Sequence, residues 1–225
     1  STIQLVMAGN DTQGLRYGMI ETPEKYYLEW KEELNHVEGH KLDYHLGRMC
    51  NKQRFLQIIH DFIVFDAGVK KTCRHNQFFG IEAAKQRIAK REGGIIWHTQ
   101  GSGKSLTMVW LAKWIRENVS DSRVLIVTDR TELDEQIEKV FTGVEEEIYR
   151  TKSGVDLVAT LNQPTPWLMC SLVHKFGRSS DADDDAATNE FIEQLKQSMP
   201  KDFKAKGNVF VFVDECIVTY WGLSV

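Results

Sequence analysis

No stretch of this chain approaches the roughly 20 consecutive apolar residues that a membrane-spanning helix requires. Ser1 to Asn10 also lack the basic start and apolar core of a secretory signal. Close cysteine pairs are missing too. Cys50, Cys73, Cys170 and Cys216 stand far apart, which excludes zinc-site spacing and a disulfide scaffold and predicts reduced thiols in a cytoplasm. A basic excess is likewise absent, since the net charge is -4 and the pI is near 6.0. The plain electrostatic footprint of a nucleic-acid binder is therefore withheld. That exclusion is weak, because a few backbone amides and hydroxyls suffice to grip a phosphate backbone. What remains is 225 residues, 42% hydrophobic and 27% charged, with no internal repeat. Such a chain has the length and balance of one globular domain with a partial neighbour.

The first part reads as α+β. Ile3 to Ala8 and Leu15 to Ile20 are predicted strands, with Gly9-Asn10-Asp11 as turn chemistry between them. Thr22-Pro23-Glu24 has the form of a helix start, predicting a helix through Tyr26, Tyr27, Trp30 and Leu34. Phe55, Ile58, Ile59, Phe62 and Ile63 recur at helical spacing and predict a helix over 54–65. From about residue 66 helices and strands alternate. Helices are predicted over 76–91, 104–117 and 131–141, and strands over 94–98, 123–128, 166–173 and 208–213. That alternation predicts a parallel sheet with helices on both faces. The polar, acidic segment 177–189 reads as a solvated loop. The expected division is 1–65 as a connector and 66–225 as an α/β domain.

Gly101-Ser102-Gly103-Lys104-Ser105 follows a predicted strand and opens a predicted helix. That context turns a short glycine-rich match into a mechanism. The glycines let backbone amides from Gln100 to Gly103 turn inward at phosphate oxygens, and the helix N-terminus adds partial positive charge. Lys104 would hold the β- and γ-phosphates, and the Ser105 hydroxyl would ligate magnesium. The full P-loop pattern asks for glycine where this chain has His98, so the match is to the shorter form. Further on, the apolar run Val209 to Val213 ends in Asp214-Glu215. Asp214 would complete the magnesium shell and Glu215 would polarise an attacking water. Gln77, upstream at a helix start, has an amide able to donate to and accept from an adenine edge at once. The implied ligands are ATP and Mg2+.

Together these residues resemble the superfamily 2 helicases and translocases, and more closely the R subunit of type I restriction enzymes. The resemblance rests on Arg74 to Phe79 (RHNQFF), Gly93 to Trp114 (GGIIWHTQGSGKSLTMVWLAKW), Val124 to Gln136 (VLIVTDRTELDEQ) and Val211 to Cys216 (VFVDEC). It implies a RecA-like first motor lobe, preceded by the tail of a nuclease region. It also implies ATP hydrolysis that drives movement along double-stranded DNA, with modification (M) and specificity (S) subunits as partners. By the same resemblance Thr128 and Arg130 fall in one DNA-contacting motif and Lys175 in a second.

The chain departs from that family after Cys216. The family continues His-Arg, whereas here Ile217 to Trp221 follow. A frameshift is the expectation, because a TGC codon for Cys216 and ATC for Ile217 would read His-Arg one base earlier. The second motor lobe and its arginine finger are absent from the sequence, and no nuclease constellation is recognisable, so the isolated chain is expected to turn over ATP poorly and not to cut DNA. The rival readings are another superfamily 2 fragment, a small P-loop phosphotransferase, and a non-catalytic product associating through the apolar run 217–223.

Overall fold

The computed structural model describes residues 2–32, 39–99, 101–128, 131–172, 199, 203–214 and 218–221, with the side chains of 131–134 and 218–221 outside the description. Asn10 starts the chain's first decision. Its Oδ1 accepts from the N–H groups of Thr12 and Gln13, at 3.1 and 2.7 Å. This side-chain turn moves the reversal beyond the glycine. Strand β1 is therefore Val6–Asn10 and β2 is Gly14–Gly18, antiparallel, with Gly9 opposite Leu15. Both lie a few residues from their predicted positions.

The helix expected from Thr22 does not form beyond a single 3-10 turn, Glu24–Tyr26. Leu28–Glu29 instead make β3, paired antiparallel to β2. The run Tyr26-Tyr27-Leu28-Glu29-Trp30 is rich in aromatic residues that favour a pleated, half-buried surface. Trp30 settles the competition, since its N–H donates to the Leu15 carbonyl and its ring is fully buried. Around it Tyr17 packs at 5.8 Å and Phe78 at 5.6 Å between ring centroids. The Tyr17 hydroxyl donates to the Cys73 carbonyl at 2.7 Å, and burial pushes its pKa well up.

Two helices follow, α1 (Lys41–Met49) and α2 (Lys52–Asp61). The second begins two residues before its predicted start because Asn51 caps it, accepting from the Gln53 and Arg54 N–H groups. It ends four residues early, and Ile63–Asp66 (β4) pairs with Val69–Thr72 (β5) as a hairpin. Ala67 and Gly68 turn it, both at positive φ (50° and 79°), the backbone that a two-residue hairpin demands.

Within α1, His45 is 2% exposed. Burial first, and then Lys41, hold its imidazole below the ordinary value of 6.5, against the opposing influence of Glu32 and Glu29. Such a base is neutral in the fold but takes up a proton on unfolding. Its contribution is therefore complete above 6.5 and declines as pH falls through the interval below that value. We expect the urea midpoint to drop between about pH 7.5 and about 5.5, and to drop less in His45→Phe. Equal drops in both proteins would show that other groups set the pH dependence.

Helix α3 spans His75–Lys90, close to its predicted range. The chain divides within it into two compact units, 1–83 and 84–225. The second unit contains β6 (Gly94–Ile95), α4 (Lys104–Asn118), β7 (Ser122–Thr128), α5 (Thr131–Gly143), β8 (Tyr149–Arg150), α6 (Gly154–Leu161), β9 (Leu168–Leu172), β10 (Asn208–Val213) and β11 (Val218–Trp221). Its sheet runs β6-β11-β10-β7-β9-β8. Four of these strands, β10, β7, β9 and β8, are parallel. Helices cover them, with α4 and α5 packing on β7. This is the parallel α/β sheet that the alternation predicted, and it fits the RecA-like lobe that the resemblance implied.

Three differences stand out. The strand expected over 94–98 pairs only at Gly94–Ile95, leaving Trp97 89% exposed. The short elements β8 and α6 went unpredicted; α6 is capped by Ser153, whose hydroxyl accepts from the Asp156 N–H. Finally, the backbone of 218–221 runs inside the sheet, antiparallel to both β10 and β6. Segment 177–189 lies outside the described residues. Among those that are described, no helix is long and apolar enough to cross a membrane, and Cys50, Cys73 and Cys170 form no disulfide.

Candidate functional site: a glycine loop and an acid at one sheet edge

Helix α4 starts without the usual side-chain cap. Its N-cap is Gly103, in the left-handed region at φ 88°, and no acidic residue occupies the first turn. Gly101 is also left-handed, at φ 75°, and a Cβ built there would meet nothing within 4 Å. Only glycine adopts such backbone without strain. The loop is closed by the Ser102 N–H donating to the Thr99 carbonyl at 3.2 Å. The Gly103 carbonyl accepts from both the Thr107 N–H, at 3.1 Å, and the Thr107 hydroxyl, at 3.2 Å. The amides at the start of α4 are left facing outward, an arrangement that favours an anion. Ser102 is 7% exposed, and its hydroxyl has no hydrogen-bond partner among the described residues. A buried hydroxyl left unpaired costs about 1–3 kcal/mol, so the loop carries polar groups that fit a ligand of oxygens.

The remainder of α4 explains why the loop is held still. Thr107 to Ala112 and Ile115 are buried, which anchors nearly the whole helix in the core. On its outer side Arg116 and Lys113 both meet Glu146, at 2.8 and 3.8 Å.

Across the sheet, β10 pairs β7 in parallel with Val213 opposite Val127, and the Asp214 N–H donates to the Val127 carbonyl at 2.9 Å. Asp214, 7% exposed, therefore stands at the carboxyl end of β10, beside the end of β7 at Thr128. Because β11 is antiparallel to both β10 and β6, β6 runs parallel to β10. The loop that leaves β6 and opens α4 thus emerges at the same edge as Asp214. From β7 the chain winds outward to β8, returns to β9, and crosses to the other flank of β7 as β10. In open α/β sheets ligands sit outside the carboxyl ends where the winding reverses. Here that place is bounded by Thr128 and Asp214.

The other predicted residues are placed less favourably or not at all. Gln77 belongs to the first unit, is 2% exposed, and its Oε1 accepts from the Arg74 N–H at 2.8 Å. The accepting half of its amide is thus engaged by the backbone at the start of α3. Thr128 is fully buried. Gln100, Arg130, Lys175 and Glu215 lie outside the described residues. The unpartnered, buried hydroxyl of Ser102 is a feature that a Gly-Ser-Gly run does not announce. Thr107 was missed as the residue that ties the loop to the helix, although a hydroxyl four residues after Gly103 is a visible signal.

A family model for the SWI2/SNF2 ATPases matches residues 76–222. Among curated relatives, a putative type I restriction enzyme MjaIXP endonuclease subunit from Methanocaldococcus jannaschii is 32% identical over 151 residues, covering 62% of this chain and 14% of that protein. The type I restriction enzyme HindI endonuclease subunit of Haemophilus influenzae is 27% identical over 161 residues, covering 63% and 15%. In Mycoplasma pneumoniae, the C-terminal part of a putative type I restriction enzyme MpnIIP endonuclease subunit is 27% identical over 214 residues, covering 87% and 95%. The chain thus spans about one-seventh of the length of the first two relatives.

Proposed function

The chain belongs to the SWI2/SNF2 ATPase family, and on that premise we propose that its second unit is a motor lobe that binds ATP with magnesium. In a type I restriction enzyme it would work on double-stranded DNA beside modification and specificity subunits. The observation that carries this reading is the uncapped start of α4 at Gly103-Lys104-Ser105, which shares a sheet edge with Asp214.

Each residue then has a physical task. The amides of Gly101 to Gly103 and the start of α4 bind phosphate oxygens, and Lys104 neutralises the β- and γ-phosphates. Magnesium, held by the Ser105 hydroxyl and the Asp214 carboxylate, would draw charge from the oxygens that bear it during hydrolysis. Glu215, next in the chain, would orient the attacking water. The 225 residues span about one-seventh of the first two relatives, and in enzymes of this class a missing arginine finger alone costs about 10³- to 10⁵-fold in rate. We therefore expect Mg·ATPγS to bind in a calorimetric titration, with ATP turnover near background whether or not duplex DNA is added. Absence of binding at millimolar nucleotide, or brisk DNA-stimulated phosphate release, would each contradict the proposal.

A further inference from the structure

The phosphate loop and Asp214 lie on strands that do not touch. Strand β6 has no pairing with β10; β11 runs between them. The register fixes how. Val218 pairs with Ile95 and Thr219 with Gly94 on one side, while Tyr220 pairs with Val211 and Trp221 with Phe210 on the other. Continuing the second ladder by two residues sets Val218 level with Val213. Ile95, Val218 and Val213 thus share one rung, and Asp214 lies on the next rung, level with Ile96. Two strand spacings separate β6 from β10 there, roughly 10 Å. The Ile96 to Gly103 stretch that carries the loop leaves from that point.

We propose that the backbone of Val218–Trp221 is the positioning element that sets the span between the phosphate loop and Asp214, so that it governs the metal-dependent part of nucleotide binding. This rests on the nucleotide reading above. Its physical basis is the ladder itself. β6 is only two residues long, and its sheet pairing is to β11. Among the described residues, β11 is the strand through which the base of the loop is tied to the strand that carries the acid. The phosphate-binding half is less affected, because the amides at the head of α4 are anchored through that helix's own buried face. The strand acts through hydrogen bonds of its main chain, so the proposal does not depend on which side chains it carries.

The test compares the whole chain with Thr219→Pro and Thr219→Ser. Proline removes a ladder donor and is not tolerated inside a sheet, whereas serine leaves the main chain intact. ATPγS affinity is measured with magnesium and with EDTA, and amide exchange of 218–221 is followed in the unmodified protein with and without Mg·ATPγS. The proposal expects protected amides that slow further on binding. It also expects a metal-dependent gain in affinity that falls about tenfold or more in Thr219→Pro, the scale seen when supports of a metal ligand are removed. The metal-free affinity of that variant, and both affinities of Thr219→Ser, should stay near those of the parent. A proline variant that keeps the full magnesium gain overturns the proposal, as do freely exchanging amides at 218–221. Should Thr219→Pro fail to fold, the exchange result decides alone. If the parent binds no nucleotide at all, the nucleotide reading fails, and this proposal with it, even where the strand is protected.

Discussion

Replacing Arg123 by methionine is expected to destabilise the second unit by about 3–5 kcal/mol, read as a lowered urea midpoint with an unchanged slope. The second residue of β7, Arg123 is only 2% exposed and meets no carboxylate among the described residues. Its guanidinium donates to carbonyls: Thr160 at 3.0 Å, Leu161 at 2.9 Å, Gln163 at 2.6 Å and Pro166 at 3.0 Å, with Lys206 at a longer 3.4 Å. Thr160 and Leu161 end α6, where unpaired carbonyls collect and the helix dipole is negative. The charge is thus neutralised by dipoles rather than by an anion, and burial lowers the guanidinium's pKa. Methionine of similar length would fill the space but remove the donor to the Gln163 and Pro166 carbonyls, while Thr160 and Leu161 keep the N–H groups of Gln163 at 3.1 Å and Lys206 at 2.9 Å; each buried acceptor left bare costs about 1–3 kcal/mol before relaxation. Lysine would keep the charge but not the planar fork, so Arg123→Lys should recover only part of the loss. An Arg123→Met midpoint within error of the parent would refute this account of the arginine.

Lys104→Ala is expected to weaken ATPγS about 10- to 100-fold, because a charge-assisted contact to phosphate contributes about 1.5–3 kcal/mol. Lys104 is the first residue of α4, so its ammonium adds to a helix terminus already positive. Alanine keeps the helix, and the fold should be intact by circular dichroism. Lys113→Ala serves as the control. That lysine sits on the same helix but meets Glu146 at 3.8 Å, and its removal should change affinity little. If the two variants weaken binding equally, Lys104 is not a phosphate ligand and the loop reading falls.

The sequence determined the parts of this protein whose cause is local. The apolar run 123–128 became a strand buried on both faces, and 208–213 became its parallel partner, because continuous β-branched and aromatic runs have few other solutions. The loop at 101–103 was legible because left-handed backbone selects glycine residue by residue. Tertiary structure decided the rest, where partners lie far apart along the chain. The aromatic run around Trp30 allows a strand but does not decide against the predicted helix, since the decision lies with Leu15, Tyr17 and Phe78. Arg123 looks like an ordinary polar strand end until carbonyls from residues 160 to 206 converge on it. The same holds for the site. Lys104 and Asp214 were each visible as motifs, but their common edge depends on the strand 218–221 lying between β6 and β10. Strand order is set by which long-range ladders and faces bury best together, and no local pattern encodes that sum.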